Sequence, residues 1–257
     1  MSNQAIKIGI IGGSGLDDPK LLSDFKDLEI DTPFGKPTSL LTCGKLNGID
    51  VCIIARHGKE HKIPPTAVNF RANIQALKDQ GCNYIIATTA CGSLRQEINR
   101  GHVVIPDQFI DFTRHRAVTF FEEFPGGAGN AKHTPMADPF SKDLRKLLIE
   151  SCKKLNIAHH DKGTVVTIEG PRFSTRAESH MFRSWGGDII NMSIAPEAIL
   201  ANEAGIPYAA IAMSTDYDCW KKDEKPVTWE EILEIFEKNV NNVKRVLIET
   251  ISKIGKG

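Results

Sequence analysis

The sequence predicts an α/β fold, a single domain over residues 1–257 with a central mixed β-sheet flanked by helices. Three observations carry that expectation. Short apolar runs with no polar face, at residues 6–11, 84–87 and 208–213, read as strands buried on both sides. Longer segments with apolar residues at helical spacing alternate with them. The chain has 257 residues, 41% hydrophobic and 25% charged, an ordinary globular composition long enough for a sizeable core.

The elements follow in order. The strand at 6–11 runs into Gly12-Gly13-Ser14-Gly15. Residues 39–43 and 51–56 form a hairpin around Leu46-Asn47-Gly48, since Asn-Gly is a strong two-residue turn signal. A helix is expected over 65–80, closed by Gly81. The strand at 84–87 leads into Thr88-Thr89-Ala90-Cys91-Gly92-Ser93. A further strand is expected over 101–112. Residues 113–137 show no regular pattern, which suits a lid or an inter-subunit element. An amphipathic helix at 139–155 precedes a strand at 163–169 that ends in Gly170-Pro171-Arg172-Phe173-Ser174. A helix at 178–185 leads to Ile189-Ile190 and the polar knot Asn191-Met192-Ser193. Pro196 and Glu197 open another helix, stopped by Gly205 with Pro207 beyond it. The last strand ends in Ser214-Thr215-Asp216-Tyr217-Asp218, and one long helix spans 228–254, with Thr228 and Glu231 as a capping box. There are no internal repeats.

Composition excludes several functions. With 32 basic and 32 acidic residues the formal net charge is zero, so nothing suggests nucleic acid or an anionic membrane surface as partner. The apolar run at the start is too short for a signal peptide, and no run approaches a membrane span. The six cysteines contain no CxxC pair, which points to free thiols and a cytoplasmic location.

Chemistry gathers at the strand ends, where open α/β sheets bind ligands. The glycines around Ser14 either cradle an anion or simply make a tight turn. Arg56-His57 offers a guanidinium fork and an imidazole for an oxyanion, or else a solvated loop. His57 and His61 stand at i and i+4, but Gly58 and Pro64-Pro65 oppose a helix and no third ligand is evident, so zinc is rejected and no metal is expected. Cys91 has no local base partner and reads as a small apolar filler. Thr89 and Ser193 add hydroxyls. This set of donors without acids suits a phosphate held without metal. Asp216 and Asp218 serve either as turn formers or as acceptors for an amino-substituted heterocycle. Phe173 and Met192 offer apolar faces for stacking.

The segments GIIGGSGLDD, ARHGKEH, VNFRANI, TTACGSL, TIEGPRFSTRAES, NMSIAPEAILANEAG and STDYDCW resemble the trimeric purine nucleoside phosphorylase family. They are most similar to its branch acting on S-methyl-5′-thioadenosine, and the likeness runs from Ile8 to about Trp220. It implies a nucleoside phosphorylase-like fold and phosphorolysis of that nucleoside to adenine and 5-methylthioribose 1-phosphate. The alternative is a broader phosphorylase taking adenosine or 6-oxopurine nucleosides. The resemblance also implies a phosphate site of Ser14, Arg56, His57, Thr89, Ala90 and Ser193, with Met192 under the sugar. Phe173 would pack on the base, and Asp216 and Asp218 would bond it and carry the catalytic proton chemistry. Ser174 and Trp229 would bear on specificity, and His133 would reach a neighbouring subunit's site. Inorganic phosphate would be co-substrate, with no further cofactor, in a homotrimer or a dimer of trimers.

Overall fold

The computed structural model describes residues 6–12, 22–223 and 228–255, the side chains at positions 229, 232, 233, 236 and 238 excepted. Within them a mixed sheet forms the middle layer. Its path is β2(Ser23–Leu28), β3(Leu41–Leu46), β4(Ile49–Ala55), β1(Lys7–Gly12), β5(Tyr84–Ser93), β10(Ile189–Asn191), β9(Thr164–Ile168) and β7(Gln108–Phe112). β11(Tyr208–Tyr217) pairs with β5 and with the short β6(Val103–Val104), which also pairs with β8(His159–His160). β5 runs parallel to β1 on one side and to β11 on the other, and its last residues turn to pair with β10 in antiparallel register.

Alternation along the central strands sets the two faces. Ile11, Cys52, Ile54, Ile85, Ala87, Tyr208 and Ala210 pack with α1(Phe70–Asp79) and α4(Ile194–Ala204). Ile8, Ile10, Val51, Ile53, Ile86, Ala209 and Ile211 face α2(Lys142–Lys154) and α5(Trp229–Ile254). A strand covered on both faces has no place for an exposed polar side chain, which is why these runs are continuously apolar. α3(Arg176–Ser184) carries the buried Ser179, close to Asp218.

Several expected elements changed. The 65–80 helix begins at Phe70, because the Asn69 side chain accepts from the Ala72 N–H at 3.2 Å and Pro65–Ala67 make only a 3-10 turn. The single strand over 101–112 is two strands with Pro106 between them, a residue that cannot donate to a ladder. β5 outruns the apolar run by six residues, because β11 and β10 flank its polar end. β2 was not expected, since Ser23-Asp-Phe-Lys-Asp-Leu28 is an exposed edge strand with no apolar period. The Asn47-Gly48 hairpin stands, with both residues at positive φ. That hairpin also corrects the cysteine reading. Its register sets Cys43 opposite Cys52 with Cα atoms 4.1 Å apart, and the two form a disulfide, while Cys82, Cys91, Cys152 and Cys219 are free.

Candidate active site

One cavity of about 430 Å³ opens at the carboxyl ends of β4, β5, β9, β10 and β11. Pockets of roughly 300–1,000 Å³ are typical for small ligands. Of the predicted site residues, Arg56, His57, Thr89, Ala90, Phe173, Ser174, Met192, Ser193, Asp216 and Asp218 all line it. His133 does not. It is exposed on the irregular segment, its ring 5.9 Å from that of Phe124. Ser14 lies outside the described residues, as does the side chain of Trp229.

At one end the donors converge. Ser193 is the N-cap of α4; its hydroxyl caps nothing in the helix and the residue lines the cavity, while Thr167 Oγ1 accepts the Ala195 N–H at 3.1 Å. The start of a helix carries the positive end of its dipole. The buried Asn191 amide lies 3.5 Å from both Thr89 Oγ1 and Ser193 Oγ, and its Oδ1 accepts from Thr167 Oγ1 at 2.9 Å. Asn191 thus ties the two hydroxyls to β9.

Arg56 is not in a solvated loop. It is 1% exposed, and its two-toothed edge is taken by a buried carboxylate. Nε donates to Glu197 Oε1 at 2.5 Å and Nη2 to Oε2 at 3.1 Å, while Nη1 donates to Thr88 O at 2.9 Å. Burial works against this charge and the Glu197 carboxylate more than offsets it, so the guanidinium pKa is raised. His57 also departs from the expected role of simple donor. Its Nδ1 lies 2.9 Å from Ile63 O, an acceptor only, so Nδ1 carries the hydrogen and the neutral ring has a bare Nε2. Burial first, and then the Arg56 charge, push the imidazole pKa down to about 4.

The other end holds carboxylates. A bulge in β11 between Ser214 and Asp216 shifts the register and re-aims the strand end. Thr215 Oγ1 donates to Asp216 Oδ1 at 2.8 Å and fixes that carboxylate beside Gly92. The Asp218 N–H and the Trp220 indole both donate to Ser93 O, at 3.0 and 2.8 Å, pinning the segment that follows. Burial raises the Asp218 pKa, against the opposing pull of the nearby Ser179 hydroxyl and Cys219 N–H. Both aspartates are under 10% exposed, so they are not surface turn formers. Phe173, 46% exposed, stands at the mouth beside Pro171.

Sequence reasoning missed the supports. Arg116, inside the irregular segment, has a side chain only 2% exposed. Nη1 donates to Met192 O at 2.5 Å, Nη2 to Glu169 O at 2.6 Å and Ile168 O at 3.3 Å, and the guanidinium lies over Phe70. It therefore locks the Met192 backbone to the end of β9. No local pattern marks it. Glu197 had a signal, an acid set among apolar residues in the first turn of α4, where a buried charge needs a partner.

Hydroxyls and a guanidinium at one end of the cavity and buried carboxylates at the other suit an oxyanion beside a hydrogen-bonding ring. The family model of the phosphorylase superfamily matches residues 7–252, and the chain belongs to that superfamily. Among curated relatives it is 53% identical to S-methyl-5′-thioadenosine phosphorylase of Xenopus tropicalis over 97% of this chain and 89% of that one. To the protein of the same name from Drosophila melanogaster it is 49% identical, over 98% and 87%. Among solved structures it is similar to methylthioadenosine phosphorylase from Schistosoma mansoni in complex with adenine. The TM-score there is 0.92 and the identity 42%, over 98% of this chain and 93% of that one. A variant adenosine/methylthioadenosine phosphorylase from the same organism, in complex with methylthioadenosine, matches with TM-score 0.91 at 42% identity, over 98% and 92%. The mixed α/β architecture is that of these phosphorylases.

Proposed function

We propose that this chain is a pentosyltransferase that cleaves S-methyl-5′-thioadenosine with inorganic phosphate. The products are adenine and 5-methylthioribose 1-phosphate. The observation that carries the reading is one cavity lined at one end by Arg56, Thr89, Ala90 and Ser193, suited to an oxyanion, and at the other by Asp216 and Asp218, suited to accept hydrogen bonds. Met192 and Phe173 also line the cavity; in this reading Met192 is the floor for the sugar and Phe173 covers the base.

In this reading the C1′–N9 bond breaks with its electron pair leaving on the purine. A phosphate oxygen supplies the pair for the new C1′–O bond. Anchored phosphate lowers the barrier twice, by being positioned and by its charge facing the cationic sugar. Asp216 delivers a proton to N7 of the departing adenine, and the acidic pair accepts from its 6-amino group. The protein works as a homotrimer, in which the exposed His133 segment reaches a neighbouring copy's cavity. It needs no cofactor, and its ligands are small molecules rather than nucleic acid or membrane. No helix among the described residues is long and apolar enough to cross a membrane. A cytoplasmic setting is supported by the free thiols and weighed against by the Cys43–Cys52 bond.

Turnover of methylthioadenosine, adenosine and inosine, each with and without phosphate, tests the reading. Phosphate-dependent adenine release from methylthioadenosine is expected to be fastest. Release without phosphate, or preferred cleavage of inosine, would refute it.

A further inference from the structure

Arg56 is enclosed by four elements. It follows β4, its guanidinium reaches the carbonyls of Ile11 at the end of β1 and Thr88 in β5, and it pairs with Glu197 in α4. Both members of the pair are 1% exposed. Four of the five guanidinium N–H groups are used by named protein acceptors, which leaves one on Nη1. Glu197 is itself held. Its Oε2 also accepts the Tyr208 hydroxyl at 2.9 Å, and Tyr208 is fully buried. Glu197 does not line the cavity, whereas Arg56 does.

A buried carboxylate behind the principal cation of an oxyanion site is a poor arrangement for tight anion binding. The guanidinium charge is already matched, and its two-toothed edge is taken. For phosphorolysis the same arrangement has a use. The phosphate must oppose the positive charge that grows on C1′, and a fully neutralised phosphate would do that badly. We propose that Glu197 is a positioning residue that holds Arg56 matched, so that bound phosphate keeps its negative charge for the transition state at the expense of ground-state affinity.

This inference rests on the phosphorylase reading, and the wild-type arm of the test separates the two. If wild-type protein shows no phosphate-dependent turnover, that reading fails and this inference fails with it. If wild-type turns over with phosphate, the variants decide this inference alone. Glu197→Gln keeps shape and removes charge, leaving a buried guanidinium that phosphate would satisfy. The phosphate KM should fall about tenfold, the scale of one charge-assisted hydrogen bond, while kcat also falls about tenfold. The rise in Tm produced by saturating phosphate should be larger than in wild type. Tyr208→Phe removes a donor from Glu197 and concentrates its charge on Arg56, so the phosphate KM should rise about threefold. A merely structural Glu197 would give a raised phosphate KM with a lowered kcat in Glu197→Gln, and that result overturns the proposal. If Glu197→Gln does not fold, Tyr208→Phe still decides, since an unchanged or lowered phosphate KM overturns it as well.

Discussion

His57 makes the cavity acid-sensitive, and the size of the effect follows from its surroundings. The folded-state pKa is about 4 against an ordinary value of about 6.5, so the unfolded chain binds more protons across that window. Stability therefore rises with pH between 4 and 6.5, and is lost as pH falls below about 6.5. Linkage over this shift gives about 1.4 kcal/mol lost by pH 5.5 and about 2.5 kcal/mol by pH 4.5. Solvent reaching the ring from the cavity side trims the second figure to about 2 kcal/mol. Protonation is opposed by Arg56, His61 and Arg116, which all face the ring electrostatically. His57→Asn keeps a donor for Ile63 O and cannot titrate. Urea melts of both proteins in phosphate-free buffer at pH 7.5, 5.5 and 4.5 measure the difference. The stability of wild type relative to His57→Asn should fall by about 2 kcal/mol from pH 7.5 to 4.5. A constant difference would refute the depressed pKa and the burial and Arg56 charge that cause it.

Arg116→Lys replaces a planar donor set spanning three carbonyls with one ammonium, so kcat/KM should fall about 10- to 100-fold through misplacement of Met192. Added guanidinium should partly rescue Arg116→Ala in steady-state assays; an Arg116→Lys enzyme within twofold of wild type would rule the role out. Gly170 has φ +66°, and a Cβ there would collide with Met192 Sδ. Gly170→Ala should cost roughly 1 kcal/mol in a thermal melt and raise the nucleoside KM, not the phosphate KM. Asp216→Asn exchanges an acceptor for a mixed donor–acceptor, and the inosine-to-adenosine ratio of kcat/KM should rise at least about tenfold. An unmoved ratio in parallel assays would break the link between Asp216 and the 6-amino group.

Much of the molecule is legible along the chain. Apolar runs mark β1, β4, β5, β10 and β11, since burial on both faces leaves no alternative composition. Capping residues mark α5, and turn glycines mark the hairpin and the end of α4, because each is a local conformational demand. The strand-end motifs disclose Arg56, His57, Thr89, Ser193, Asp216 and Asp218 as a set, because a parallel sheet delivers its carboxyl ends to one place. What those side chains do there was decided in three dimensions. Arg56 meets Glu197 across 141 positions, and Arg116 reaches Met192 across 76, spacings that no local pattern records. The His57 tautomer depends on one carbonyl six residues on, and the Cys43–Cys52 bond on the hairpin register. Local chemistry thus chose the elements and the residue types of the site. Long-range pairing chose which charges are matched, which hydroxyls are aimed and which nitrogen carries the proton, since those depend on distances that only the packed chain sets.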